Sequence, residues 1–469
     1  MPFAATGGLG DVMGSLPAAI KAKEKERVDV RVIMPLYATI GDEWRAKMKT
    51  EAEFNLRLSW RNIYCGIKSL EKDGVTYYFI DNEYYFKRGA LYGFFDDGER
   101  YAYFCKAVME AMIKLDFYPD VIHANDWQSA LTVVYLNTKY RYVSGFENTK
   151  SVFTIHNIEY QGKYDFSILG DVFDLGPEYY SLMRYDDCIN LVKAAIECAD
   201  KVSTVSPRYA GEIQGYEHSH GLHHVLYRNS QKLLGFLNGI DYDYYSPARD
   251  TVIAKNYDRR SFVSGKAENK LALQREYGLP ERSDVPMLAI ISRLASHKGL
   301  DLVEQIAHRL VGENDVQLVI LGKGEGRYEH FFYELEQQFP KKVRTLLTYN
   351  RDLSKKIYAA ADMFIMPSLS EPCGLSQMIA SRYGAVPIVR ETGGLADSIK
   401  GYWVNDGEIC GNGFTFANYS SYELYERICA ALELYRDRAQ YKKLTSKIMG
   451  TDFSWGVSAG KYMDMYNSL

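Results

Sequence analysis

Short apolar runs rich in valine and isoleucine recur along this chain in two series, and that recurrence limits the possible folds more than any other feature. The first series falls at residues 28–34, 75–80, 121–123, 152–155, 202–205 and 234–237. The second falls at residues 287–291, 316–321, 343–347, 363–366 and 386–389. Runs this short and continuous read as strands buried on both faces. Amphipathic stretches lie between them; Leu302, Val303, Ile306 and Leu310, for example, recur at helical spacing. Strands alternating with helices predict an α/β fold of parallel sheets covered by helices. The seam between the two series is expected near residues 245–286, which hold Pro247, Pro280, Pro286 and an irregular charged patch. Two doubly wound domains follow. Ligands of such sheets bind outside the carboxyl ends of the strands, so residues just after each run are the candidates for function.

Composition excludes several classes. The 469 residues suffice for two domains. The net charge of −4 supplies no basic stripe, so no nucleic acid partner is expected. No run of about 18 apolar residues predicts a membrane span. Met1-Pro2-Phe3 does not open a leader, so a cytoplasmic protein is expected. The seven cysteines are odd in number and lack a Cys-x-x-Cys spacing, which argues against a disulfide framework and a zinc knuckle. His218, His220, His223 and His224 cluster beside Glu217, but in a glycine-flanked loop this reads as adventitious clustering rather than a metal site. No metal is expected.

Six motifs stand out, five of which end or follow the apolar runs. Thr6-Gly7-Gly8-Leu9-Gly10-Asp11 leads into a helical pattern, and backbone N–H groups at such a turn suit an anion. No strand precedes it, so the chain reads as short by about one strand: either the gene model is short, or the first domain lacks its central strand and exposes sheet edges. His123-Ala124-Asn125-Asp126 ends the third run, with Asp126 either facing a ligand or capping the next helix. His156 closes the fourth. Arg293 and Lys298 flank the turn after the 287–291 run, where a guanidinium fork and a point charge suit a diphosphate. Glu371-Pro372-Cys373-Gly374-Leu375 follows the 363–366 run; its carboxylate can bind sugar hydroxyls, and Cys373, lacking a paired histidine, reads as a wall residue. Thr392-Gly393-Gly394 makes a second glycine turn.

In this order and spacing the six motifs resemble the bacterial glycogen synthase and plant starch synthase family. The likeness runs along nearly the whole chain and ends at Phe453-Ser454-Trp455. It implies a GT-B fold, two Rossmann-like domains facing across a deep crevice. The expected divisions are an acceptor-side domain at 1–245, a nucleotide-sugar-binding domain at 246–451, and a helix at 452–469 returning to the first domain. The implied reaction is retaining transfer of glucose from ADP-glucose to the non-reducing 4-hydroxyl of an α-1,4-glucan, without a cofactor. By the same resemblance Arg293 and Lys298 hold the diphosphate and Glu371 the glucose hydroxyls, with the Cys373, Gly374 and Leu375 backbone nearby. Gly7, Gly8, Thr392 and Gly393 line the phosphate region. Asp126, His156 and Asn238 shape the sugar and acceptor side, and Tyr349 stands near the adenine. The family's usual lysine before Thr-Gly-Gly is Ala5 here, and His297 stands where glutamine is common. A weakened enzyme, a non-catalytic glucan-binding paralogue and a related enzyme using UDP-glucose are the alternatives.

Overall fold

The continuous apolar runs become parallel strands in two separate units. The structure, a computed structural model, describes residues 3–4 and 7–469. The first unit runs to Phe236 and is rejoined by Trp455–Leu469; the second is Leu237–Ser454. The break falls ahead of the expected seam. Residues 237–245 go with the second unit, where the Ile240 N–H donates to the Phe453 carbonyl at 2.8 Å.

The first unit contains helix α1 (Gly8–Glu24), strands β1 (Arg31–Pro35), β2 (Lys49–Leu58), β3 (Arg61–Lys72) and β4 (Val75–Asp81), and helix α2 (Asp97–Lys114). Then come β5 (Val121–Asn125), α3 (Trp127–Tyr135), β6 (Lys150–Ile155), α4 (Leu191–Cys198), β7 (Lys201–Thr204) and β8 (Leu233–Gly235). These strands form two four-stranded sheets, ordered β1–β4–β3–β2 and β8–β7–β6–β5. The second is all parallel. The first corrects the expectation of purely parallel sheets, because β3 runs antiparallel to both β2 and β4. The β2–β3 hairpin carries alternation instead of a continuous run: Leu56 and Leu58 are buried while Asn55 and Arg57 are exposed. One face meets the core and the other meets water, the pattern of an antiparallel sheet. Among the described residues no strand precedes α1, and β1 and β5 each end their sheet.

The C-terminal helix (Trp455–Asn467) packs Trp455, Ala459, Tyr462 and Met463 with Val12, Leu16 and Ile20 of α1 and Val152 of β6. A polar staple reinforces this apolar contact. His123 on β5 places Nδ1 2.7 Å from the Tyr466 hydroxyl and Nε2 2.5 Å from the Thr154 hydroxyl. Burial, and secondarily the neighbouring His156, push the His123 pKa down to about 3, so the ring is neutral.

The second unit is built on α5 (Phe262–Glu276), β9 (Met287–Ile291), α6 (Leu300–Glu313), β10 (Gln317–Leu321), α7 (Gly326–Gln338) and β11 (Val343–Leu346). It continues with α8 (Arg351–Ala360), β12 (Met363–Met366), α9 (Ser376–Arg382), β13 (Val386–Arg390), α10 (Gly393–Ser398) and β14 (Phe414–Phe416). The six-stranded parallel sheet has the order β11–β10–β9–β12–β13–β14. Leu302, Val303, Ile306 and Leu310 of α6 join its core, as their helical spacing predicts.

Two lysines of α5 are buried in this unit. Lys266 donates to the carbonyls of Tyr358, Ala359 and Tyr383 at 2.9–3.2 Å, two of them at the end of α8, and so caps that helix. Lys270 pairs with Asp362 at 2.6 Å and also donates to the Val285 carbonyl at 2.9 Å. Burial opposes the Lys270 charge, but Asp362 and Tyr435 outweigh it and hold its pKa above the usual lysine value.

Two outcomes follow. Replacing Lys270→Met strands Asp362, so unfolding of the second unit in urea loses about 3–5 kcal/mol, the usual cost of breaking one side of a buried pair. K270M/D362N recovers part of that loss. In the first unit His123 stays neutral when folded and takes a proton near pH 6.5 when unfolded. Its stabilising contribution is therefore complete above pH 6.5 and drains away as pH falls toward about 3. Hydrogen-exchange stability of β5 against pH should show this slope, and His123→Gln should flatten it.

Candidate functional site

Strand ends carry the candidate chemistry in each unit. In the first, β5 stops at Asn125 and the chain turns sharply through Asp126, whose φ of 57° lies in the left-handed region. Such backbone in a residue other than glycine is costly and concentrates at functional sites. The Asp126 N–H donates to the Thr154 carbonyl at 2.9 Å. Its carboxylate does not cap α3. Instead Oδ1 accepts the His156 backbone N–H at 2.7 Å, and the Asn157 N–H also supports it. Burial outweighs both donors and pushes the Asp126 pKa up to about 7. The His156 ring has Nε2 2.9 Å from Asn125 Oδ1, and burial pushes its pKa down to about 4. Asn125, Asp126 and His156 thus form one cluster of a carboxyl, an amide and a neutral imidazole.

Gly7 and Gly8 stand exposed at the head of α1. Gly7 has φ 117°, open to glycine alone, and its carbonyl accepts the Gly10 N–H at 3.0 Å. The turn thus presents the first amides of a long helix to an anion. Thr6 and Ala5 lie outside the described residues.

In the second unit three consecutive strand ends interlock. Lys298, in the turn after β9, bonds Glu371 Oε2, in the turn after β12, at 2.7 Å. Ser368 donates its hydroxyl to the same oxygen at 3.0 Å. The turns touch backbone to backbone. A Cβ on Gly299 would stand 2.1 Å from the Pro367 carbonyl oxygen, and one on Gly393 would stand 2.1 Å from that of Glu371. The Gly394 N–H donates to the Glu371 carbonyl at 3.1 Å. Thr392, Gly393 and Glu371 are therefore held together, and Gly374 supplies a further left-handed turn at φ 68°. Leu375 immediately precedes α9.

Cys373 is buried against the backbone of Asn238, and burial pushes its thiol up to about 12, as suits a wall residue rather than a nucleophile. Asn238 is itself buried, and its Oδ1 finds no hydrogen-bond partner among the described residues. An unanswered buried acceptor next to Cys373 suits a ligand rich in hydroxyls. Arg293 is exposed just after β9 and makes no ion pair with a described residue. Tyr349 stands apart. It follows β11 at the sheet's edge, is exposed, and accepts a bond from Arg351 Nε at 3.0 Å.

Sequence reasoning passed over three contributors. Arg390, the last residue of β13, donates to the carbonyls of Ser368 at 2.9 Å and Leu369 at 2.5 Å, and so shapes the Glu371 turn. Its signal was the one that marked Arg293, a cation directly after a buried run. Ser368 supports Glu371, and Asn125 orients His156. Among the described residues no group of three or more histidine, cysteine, aspartate or glutamate side chains could hold a metal. No described helix is long and apolar enough to cross a membrane.

Comparison with known proteins adds to this geometry. Residues 1–228 match the family described as starch synthase catalytic domain, and residues 276–447 match glycosyl transferases group 1. A glycogen synthase of Clostridioides difficile is 46% identical, the match covering 100% of this chain and 97% of that one. A glycogen synthase of Caldicellulosiruptor saccharolyticus is 47% identical with the same coverage. The catalytic domain of starch synthase IV from Arabidopsis thaliana, solved bound to ADP and acarbose, is 36% identical with a TM-score of 0.89, over 100% of this chain and 97% of that one. With its two Rossmann-like units and interlocked strand-end turns, the chain belongs to the glycogen and starch synthase family of GT-B glycosyltransferases.

Proposed function

We propose that this enzyme lengthens an α-1,4-glucan, moving glucose from ADP-glucose to the non-reducing 4-hydroxyl with retention at the anomeric carbon. The observation that carries the reading is the Lys298–Glu371 pair, fixed at adjoining strand ends and placed next to the Thr392-Gly393 turn. The full-length identity to glycogen synthases supports the choice of substrates. ADP as the nucleotide is supported by the ADP-bound starch synthase neighbour. A cytoplasmic setting accords with such substrates.

In this reading Arg293 and Lys298 take the diphosphate and offset the charge that grows on it as the glycosidic bond breaks. In this reading the chain's own cations supply that charge without a metal or cofactor. Both recorded bonds to Glu371 fall on Oε2, so Oε1 is the atom assigned to a glucose hydroxyl. Thr392 and Gly393 line the phosphate region, with the Cys373–Leu375 backbone alongside the sugar. Asp126, His156 and Asn238 shape the acceptor side, Gly7 and Gly8 add amides, and Tyr349 offers its ring to the base. Retention follows when leaving and attacking groups use one face. The C1–phosphate oxygen bond breaks, the bond from C1 to the acceptor oxygen forms, and the acceptor's proton passes to the leaving phosphate. Cys373, with its thiol held protonated, is no nucleophile for a covalent route.

Mixing the purified enzyme with ADP-glucose and glycogen should release ADP only when glycogen is present. Saturable glycogen binding without turnover would sink the reading, and a faster reaction with UDP-glucose would change its donor. Arg293→Ala and Lys298→Ala should each lower kcat/KM about tenfold to a hundredfold, since a charge-assisted bond contributes about 1.5–3 kcal/mol. Glucan elongation at the parental rate in the double variant would refute the diphosphate assignment. Asp126 changes charge near pH 7. It is neutral below and anionic above, and the anion accepts hydrogen bonds more strongly than the neutral acid. The kcat/KM for glycogen should therefore rise through pH 7, and Asp126→Asn should flatten that limb.

A further inference from the structure

Gln377, in the first turn of α9, is wholly buried in the second unit. Its side chain turns back on the chain just ahead of it. Nε2 donates to the Gly374 carbonyl at 3.0 Å and, less closely, to the Cys373 carbonyl at 3.3 Å. It also donates to the hydroxyl of Ser398, the last residue of α10, at 2.9 Å. Ser398 in turn donates to the Gly394 carbonyl at 2.6 Å. The Gly394 N–H donates to the carbonyls of Glu371 at 3.1 Å and Pro372 at 3.2 Å. These bonds close a ring from the Glu371–Leu375 turn through Gln377 and Ser398 to the Thr392–Gly394 turn and back. Two glycines make room for it. A Cβ on Gly374 would stand 2.6 Å from Gln377 Oε1, and one on Gly394 would stand 2.0 Å from the Cys373 carbonyl oxygen. Oε1 itself is buried with no partner among the described residues. A side chain with every bond on its donor end and a costly unanswered acceptor on the other is a poor choice for packing alone.

We infer that Gln377 is a positioning residue for the transfer: with Ser398 as its anchor, it turns the Gly374 and Leu375 N–H groups toward the sugar of the donor. In a trans peptide a carbonyl and the N–H that follows it point in opposite directions. Holding the Cys373 carbonyl on Gln377 therefore turns the Gly374 N–H away from Gln377. Holding the Gly374 carbonyl does the same for the Leu375 N–H. Neither N–H has an acceptor among the described residues. Gly374, at φ 68°, supplies the left-handed backbone that sets both carbonyls on one side chain. Two amides fixed beforehand bind an oxygen without reorganising, and the ring through Ser398 keeps them in step with the Thr392-Gly393 turn. The inference rests on the proposed function, in which the Cys373–Leu375 backbone runs alongside the glucose. Gln377 acts through that backbone and must do so as a donor, since a carboxylate in its place would repel both carbonyls.

Three variants of the full chain test this against the parent. Gln377→Met keeps the volume and removes the donor, Gln377→Glu keeps the shape and puts an acceptor in its place, and Ser398→Ala removes the anchor. Calorimetric titration with ADP and with ADP-glucose is read beside kcat and KM, below the thermal transition of every variant. Gln377→Met should lower kcat by about tenfold to a hundredfold, the scale of a misplaced catalytic group. ADP-glucose should bind more weakly while ADP binds as in the parent and the KM for glycogen holds, because only the sugar loses its amides. A role in folding alone would not move the ratio of ADP-glucose to ADP affinity. Gln377→Glu should lose more than Gln377→Met, and Ser398→Ala less. The double variant Q377M/S398A should fall no further than Gln377→Met, since both side chains belong to one ring. Parental kcat in Gln377→Met, equal losses for ADP and ADP-glucose, or a double variant that loses the product of the two single losses overturns the positioning role. Ser398→Ala, the smaller change, decides if a Gln377 variant does not fold. A parent chain that releases no ADP from ADP-glucose and glycogen sinks the proposed function and this role with it. A working parent with indifferent variants sinks the role of Gln377 alone.

Discussion

Backbone pressed against backbone is the constraint on which the second unit's site depends. The Gly299, Gly393 and Gly394 Cα atoms sit so close to carbonyls of the β12 turn that no side chain fits between. This contact fixes the spacing of three neighbouring strand ends before any charged group is considered. Lys298 can then reach Glu371, and Ser368 can share its oxygen, with little conformational freedom left to lose. Arg390 holds the same turn from the other side through two carbonyls. Rigid placement of a few polar groups is what a transferase needs, because donors already in position stabilise developing charge without reorganising.

The first unit solves a different problem. Its strand ends keep ionisable groups buried and the imidazoles among them uncharged. Burial pushes His123 and His156 down and Asp126 up, so near neutrality the imidazoles carry no charge and the carboxyl stands at its balance point. Backbone amides of His156 and Asn157 limit how far Asp126 rises. The two units therefore differ in kind. One offers fixed charges suited to a phosphate, and the other offers hydrogen-bonding groups suited to sugar hydroxyls.

Most parallel strands were legible because burial on both faces writes a continuous apolar run, as in Met287–Ile291 and Met363–Met366. The β2–β3 hairpin was not, since its outward residues are polar and its pattern alternates. The division between the units lies ahead of the expected seam because proline and charge mark irregular chain, and the irregular residues 237–261 already pack within the second unit. At the site, residue types after each run pointed to Asp126, His156, Lys298 and Glu371. What no spacing could convey was the partner of each: that Asp126 turns from its own helix toward the His156 amide, or that Arg390 braces the Glu371 turn. Such pairings depend on strand order, and β12 lies beside β9 although two strand–helix units separate them in sequence.

The staple between His123 and Tyr466 bears on how the molecule is made. The first unit needs residues 455–469 to cover α1, yet the ribosome delivers them only after all of Leu237–Ser454 has emerged. At about 5–20 residues per second, that delay is on the order of tens of seconds. Throughout it, Val12, Leu16 and Ile20 lack the C-terminal helix against which they pack, and by its end the second unit holds its entire sequence. A nascent chain of this design completes its later half before the helix that covers α1 arrives.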